Sequence, residues 1–105
     1  MKPVLVLTTV APDFDARSLA HALVEARLAA CVNILDSVHS VYRWEGRISH
    51  DPEQLLIIKT VDARIDALRE ELFRLHPYEV PEFVVLEAST SEAYGAGLLD
   101  AVSTA

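Results

Sequence analysis

The stretch that most restricts the fold is Val38 to Thr60, VHSVYRWEGRISHDPEQLLIIKT. It reads as two long strands joined by a tight turn at Glu45-Gly46. The first arm carries Val38, Val41, Tyr42 and Trp44, side chains suited to a pleated surface. The second ends in Leu55-Leu56-Ile57-Ile58-Lys59-Thr60, an apolar run of the kind found in a strand covered on both faces. Gly46 supplies the backbone freedom that a two-residue hairpin loop requires. From Cys31 to Glu45 only Asp36-Ser37 interrupts a strand pattern. At about 3.3 Å per residue such a strand reaches about 50 Å. A chain of this length has a radius of gyration of about 13 Å. The tip of the hairpin, with Tyr42 and Trp44, therefore projects from its own subunit and needs a partner. A closed symmetric oligomer supplies one and also hides strand edges.

Flanking segments place this hairpin in a larger pattern. Lys2 to Val10 is β-branched and apolar, a central strand, and Ala11-Pro12-Asp13 ends it. Asp13 or Asp15 caps the following helix. Ala16, Leu19, Ala20, Leu23, Ala26 and Ala30 recur at helical spacing as one apolar stripe. Pro52 cannot donate to a ladder, so the start of the third strand is bulged or at an edge. Asp62 opens a second helix with Ile65, Leu68, Leu72 and Leu75 inward, and Glu70 and Arg74 form an i,i+4 pair. Pro77 stops that helix near His76, and Pro81 restarts the chain as a strand, Glu82 to Ala88. Ser89-Thr90-Ser91-Glu92 has the spacing of a capping box, with Ser89 at the cap. It opens a short helix ending near Val102, which Gly95 and Gly97 weaken. The order β-α-β-β-α-β-α gives an α+β class: a ferredoxin-like βαββαβ sandwich with an antiparallel sheet, a long central hairpin and a short C-terminal helix. Residues 1–105 form a single domain on this reading.

Charge and composition narrow the partners. The formal net charge is −7, from 16 acidic and 9 basic residues. Nucleic acids are gripped by clustered Lys and Arg, so they are not expected as partners. The apolar share of 51% is that of a chain with a packed core. The run Val4–Val10 is too short to span a bilayer or to serve as a signal-peptide core, so no membrane partner is expected and the localisation is cytoplasmic. Cys31 is the single cysteine and forms no internal disulfide.

No residue pattern nominates an enzyme. Cys31 reads as a small buried core residue rather than a nucleophile. The serines lie in turns and caps without an elbow motif, and neither a phosphate-binding glycine loop nor a zinc-type HExxH is present. With the turn at Glu45-Gly46, Val41 lies opposite His50 and His39 is its diagonal neighbour. Two imidazoles about 7–8 Å apart can share copper or zinc, although solvated histidines on a hairpin are the plainer reading. His76 sits at a helix C-terminus, as a cap or as an imidazolium favoured by the dipole. Lys59 ends a strongly apolar strand, where a solvated charge is out of place, and is the best single candidate for binding. The loop His76–Glu82, HPYEVPE, can lie near it. Pro77 and Pro81 stiffen that loop, and Tyr78, Glu79 and Glu82 offer polar ends. It reads as a wall of a ligand or metal cleft, or equally as a stiff subunit contact.

Four motifs in order, EARLAACVN (25–33), SVYRWEG (40–46), LIIKT (56–60) and HPYEVPE (76–82), make the chain resemble the CutA family, the divalent-cation tolerance proteins. The resemblance covers residues 3 to 102. It implies a non-enzymatic homotrimer, built like the PII signalling proteins, with the hairpins paired between subunits through Val41, Tyr42 and Trp44. It implies binding of Cu(II) or another divalent cation, with no obligatory cofactor: His76 is the one ligand carried over, weak by itself, and Glu79, Glu82 or the hairpin histidines are the other groups that can hold the ion. A PII-like alternative is a small anionic ligand in the subunit cleft at Lys59, Tyr78, Glu82 and Trp44. The copper ligands proposed for some members are a cysteine ending the first strand and two histidines before the Pro-Tyr. Here those positions hold Thr8, Leu75 and His76. Where the family usually has a Trp near the C-terminus, this chain has Gly97.

Overall fold

A computed structural model describes residues 1–103. Strand β1 (Pro3–Val10) is followed by helix α1 (Ala16–Glu25), strands β2 (Cys31–Trp44) and β3 (Arg47–Val61), a 3-10 turn at Asp62–Arg64, helix α2 (Ile65–Leu75), strand β4 (Val84–Glu87) and helix α3 (Glu92–Ala101). The sheet order is β2-β3-β1-β4, with every neighbouring pair antiparallel. This is the expected α+β, ferredoxin-like arrangement.

Alternation along the strands places the core. Val4, Val6, Thr8 and Val10 of β1 are buried, as are Gln54, Leu56, Ile58 and Thr60 of β3. Their partners are Ala16, Leu19 and Leu23 from α1 and Leu68 and Leu72 from α2. The intervening residues Leu5, Leu7, Leu55, Ile57 and Lys59 are only partly buried. On β4, Val84 and Leu86 are 44% and 45% exposed. One face of the sheet is thus packed under helices and the other is apolar and largely open, with α3 covering only its end through Leu98 and Val102 against Val61.

The hairpin is as long as its sequence implies. Its turn is Glu45-Gly46, with φ of 50° and 76°, the left-handed pair that suits a two-residue loop. β1 accompanies β3 only from Gln54 to Val61, so the outer part is a two-stranded ribbon. The chain measures 46 × 24 × 22 Å. Pro52 lies in that outer part, opposite His39, where β3 has only β2 beside it. A bulge separates the pairs Leu35↔Leu55 and Val38↔Glu53.

Four local expectations need correction. α1 ends at Glu25, so Ala26 and Ala30 do not continue its stripe. The stop comes from Arg27, at φ 60°, which lets the amides of Leu28 and Ala29 both bond the Leu23 carbonyl. Arg74 pairs with Glu71 at 2.7 Å, not with Glu70. β4 is four residues long, because its ladder with β1 spans only Val4–Leu7. The cap of α3 is Ser91 rather than Ser89: Ser91 is extended and its Oγ accepts the Tyr94 amide at 3.3 Å. Asp15, one of the two candidates, caps α1 through the Ser18 amide at 3.1 Å.

Candidate functional site

The two-stranded ribbon and the loop after α2 enclose an open cleft of about 1100 Å³. Its walls are Tyr42 and Trp44 from β2, Asp51, Pro52 and Glu53 from β3, and Pro77 to Glu82. The loop is anchored by His76. This residue is extended (φ −75°, ψ 137°), as the following proline demands, and its amide still bonds the Leu72 carbonyl. The residue is only 8% exposed. The Tyr78 amide donates to Nδ1 at 3.1 Å, so Nδ1 is the acceptor nitrogen. Nε2 then carries the proton and faces the Thr9 carbonyl at 2.9 Å and the Thr8 hydroxyl at 3.1 Å. Burial lowers the pKa of the imidazole, opposed by the Thr9 bond and the charge of Glu53. His76 is therefore a neutral clamp between β1 and the loop.

Two phenol–carboxylate pairs follow. Tyr78 donates to Glu53 at 2.8 Å and Tyr42 to Asp51 at 2.5 Å. Burial and the Glu53 bond push the Tyr78 phenol well up, and the Asp51 bond raises Tyr42. The Glu82 carboxyl is raised by partial loss of water around it and then by the charge of Glu53. Four acids, Asp51, Glu53, Glu79 and Glu82, line the cleft, and among the described residues no lysine or arginine does. None of the four takes part in an ion pair among those residues.

Sequence reasoning assigned Tyr78, Glu82, Trp44 and Glu79 to a ligand or metal site and Val41, Tyr42 and Trp44 to the trimer interface, and all six residues line this cleft. It set Lys59 near them. Lys59 instead pairs across β1 with Leu5, four residues and about 13 Å from Thr9 at the cleft. There it borders a smaller pocket with Ser89, Thr90, Ser91 and Tyr94, its Nζ 5.8 Å from the Tyr94 ring centroid. Register separates them: Lys59 belongs to the inner end of β3 and Glu53 to the outer. His39 and His50 hold the expected diagonal positions, both exposed. Asp51, Glu53 and Gln54 were missed. Gln54 is 8% exposed and its amide bonds the Ala11 and Phe14 carbonyls at 2.9 Å each, tying down the loop after β1. The available signal was an acid-Pro-acid-Gln run opening an otherwise apolar strand.

A metal would need converging donors. Among the described residues no group of three or more His, Cys, Asp or Glu is arranged to hold an ion. Both nitrogens of His76 are engaged, and Thr8 and Leu75 add no soft or imidazole ligand. The residues do not form a ready-made copper centre.

An antiparallel βαββαβ sheet with one helical layer and a walled cleft at the hairpin defines a ferredoxin-like, PII-like protein. The chain belongs to the CutA family: the family described as CutA1 divalent ion tolerance protein matches residues 4–96. It is 50% identical over 82 residues to the divalent-cation tolerance protein CutA of Thermus thermophilus, covering 78% of this chain and 80% of that one. It covers only 48% and 47% of the two chloroplastic CutA proteins it matches, from rice and Arabidopsis. The solved CutA of Synechococcus elongatus superposes with a TM-score of 0.91 at 43% identity, over 97% of this chain and 91% of that one. A Nostoc structure described as the PII-like protein CutA in apo form gives 0.87 at 35% identity, over 98% of each chain. No helix among the described residues is long and apolar enough to cross a membrane.

Proposed function

We propose that this chain is a non-enzymatic, cytoplasmic, homotrimeric divalent-cation tolerance protein that binds Cu(II) or another divalent cation weakly. The observation that carries the cation reading is the cleft with four acids in no ion pair and, among the described residues, no lysine or arginine. Glu79 and His76 are the proposed ligands, helped by Glu82. For His76 to take part, Nδ1 must give up its bond from the Tyr78 amide, or Nε2 must leave the Thr9 carbonyl with its proton moved to Nδ1 or to solvent. That cost accounts for weak binding. The open sheet face and the ribbon, where Val41, Trp44 and Ile48 are 62%, 56% and 60% exposed, support the trimer, since apolar area of this kind is covered in stable proteins. Calorimetric titration with Cu(II) tests the site. Binding is expected to weaken in Glu79→Ala and in His76→Ala, and heats identical to wild type in both would remove them as ligands.

A second reading is a PII-like sensor of a small anionic ligand, for which the sequence offered Lys59, Tyr78, Glu82 and Trp44 and within one chain only Lys59 stands clear of the acids. The Lys59 pocket, with the hydroxyls of Ser89, Thr90 and Ser91, favours an anion there, not beside the acids. A thermal-shift screen of anions on wild type and Lys59→Ala tests it: stabilisation that disappears in the variant supports the reading.

A further inference from the structure

The projecting ribbon carries opposite charges at its two ends, on one side. Directly paired residues of a ladder share a side, so Trp44 with Arg47, Tyr42 with Ser49 and Ser40 with Asp51 form one surface. Glu53 joins it by alternation along β3. Arg47 stands at the tip. Asp51 and Glu53 stand four and six residues inward, about 13 Å and about 20 Å along the strand, where the loop after α2 faces them across the cleft. Arg47 is exposed and takes part in no ion pair among the described residues. Its own acids are out of reach, because that spacing exceeds the combined length of the side chains and Ser49 lies between. The phenols of Tyr42 and Tyr78 hold one oxygen of Asp51 and one of Glu53. The other oxygen of each is left to accept a donor. Arg43 is on the opposite side of the tip, paired with Ile48.

Each chain bears a net charge of −7, so copies repel unless opposite charges meet where they touch. A tip and a cleft are different patches. A contact between them therefore runs head to tail, the kind that closes into a ring of copies. We propose that the ribbon tip of one copy seats in the cleft of the next, with the partner subunit's Arg47 between the carboxylates of Asp51 and Glu53 and its stem along the rings of Tyr42 and Trp44. Guanidinium suits both demands, since it pairs with carboxylates and lies flat on aromatic faces. This contact rests on the homotrimer reading and adds a residue that each copy lends to its neighbour. The aromatic wall of the cleft is then covered by protein, and Glu79 and Glu82 are the acids left to a metal ion.

Carbodiimide joins an amine to a carboxylate in contact with it and tests the pairing in the intact protein. Arg47→Lys keeps the charge and supplies the amine. Treated with carbodiimide, this variant is expected to give covalent dimers and trimers on a denaturing gel, with joins from position 47 to Asp51 or Glu53 in the peptide masses. Light scattering over a dilution series in dilute urea supplies a second measure. Arg47→Glu is expected to raise the dissociation constant of the assembly about tenfold, the weight of one charge-assisted contact. Arg43→Glu makes the same change of charge on the other side and should stay within about twofold of wild type. Trimers of Arg47→Lys without a join from position 47 to either acid, or equal weakening by the two reversals, overturn the proposal and leave the homotrimer standing. A monomeric wild type overturns both. Arg47→Lys alters no charge, so the joining test decides the matter even if a reversal disturbs folding.

Discussion

Tyr78 and Glu53 meet at 2.8 Å, phenol to carboxylate, across 25 residues of chain. This contact joins the loop after α2 to the ribbon and sets the width of the cleft. Tyr78→Phe keeps the ring and removes the donor. Both groups are only partly buried, so water replaces some of the lost bond. Unfolding free energy should fall by about 1 kcal/mol, a lowering of the melting temperature by roughly 4 °C. Calorimetry on the two proteins checks it.

His76 predicts an acid limb. Its folded pKa lies below the ordinary 6.5, chiefly through burial. As pH falls through 6.5 the unfolded chain takes up a proton that the folded chain refuses. The stability from the neutral ring is therefore complete above pH 6.5 and is lost as pH drops through the folded value. His76→Ala should cost about 3 kcal/mol at neutral pH, since Thr8, Thr9 and Tyr78 all lose a partner. It should also flatten the slope between pH 6.5 and the acid transition, measured by urea unfolding at a series of pH values.

Glu45 occupies the left-handed region at φ 50°, where a β-carbon is crowded and asparagine is tolerated. Glu45→Asn should stabilise the chain by about 0.5 kcal/mol. Gly46→Ala, at φ 76°, should destabilise it by about 1 kcal/mol. Thermal melts of the two variants should move in opposite directions.

The glycines of α3 should behave unlike each other. A β-carbon at Gly97 meets nothing within 4 Å, whereas one at Gly95 falls 2.5 Å from the Thr90 hydroxyl. Gly97→Ala should gain about 0.5–1 kcal/mol from helix propensity. Gly95→Ala should lose that gain to the displacement of Thr90, and Thr90→Ala should restore it. Denaturant midpoints of the three variants distinguish the cases.

Light scattering should return three times the chain mass of 11.6 kDa. Tyr42→Ser with Trp44→Ser should shift the protein toward lower mass, because both side chains stand on the projecting ribbon. A wild-type chain that stays monomeric at micromolar concentration would sink the trimer.

Much of the architecture was legible because it is written locally. The β1 alternation, the α2 stripe, the prolines at 77 and 81, and the Glu45-Gly46 turn each act within a few residues of themselves. Tyr78, Glu79 and Glu82 could be placed at a cleft wall for the same reason: two prolines stiffen a short acidic loop. Their partners could not be read this way. Asp51, Glu53 and Gln54 matter through bonds to residues 9, 25 and 40–43 positions away, which depend on register and on how the loop folds back. Lys59 was misplaced for the same cause. Its chemistry was visible in an apolar run, but its distance from Glu53 along β3 decides its neighbours. The choice of Ser91 over Ser89 as cap turned on backbone angles that a spacing rule does not contain.

The bulge between Leu35 and Val38 has a reach beyond its own kink. Two residues, Asp36 and Ser37, stand there against the single Gln54, and side chains on a strand alternate between faces. The added residue reverses the parity of everything outward of it, so the even-numbered Tyr42 and Trp44 share a side with Asp51 and Glu53. Excising Ser37 would leave the outer pairs Val38↔Glu53 to Trp44↔Arg47 as they are, Tyr42 and Trp44 still beside the acids, and would remove the kink between the ribbon and the inner sheet. The tight turn thus decides which side chains stand beside the acids, and the spare residue lets that outer register meet the inner one without tearing the ladder.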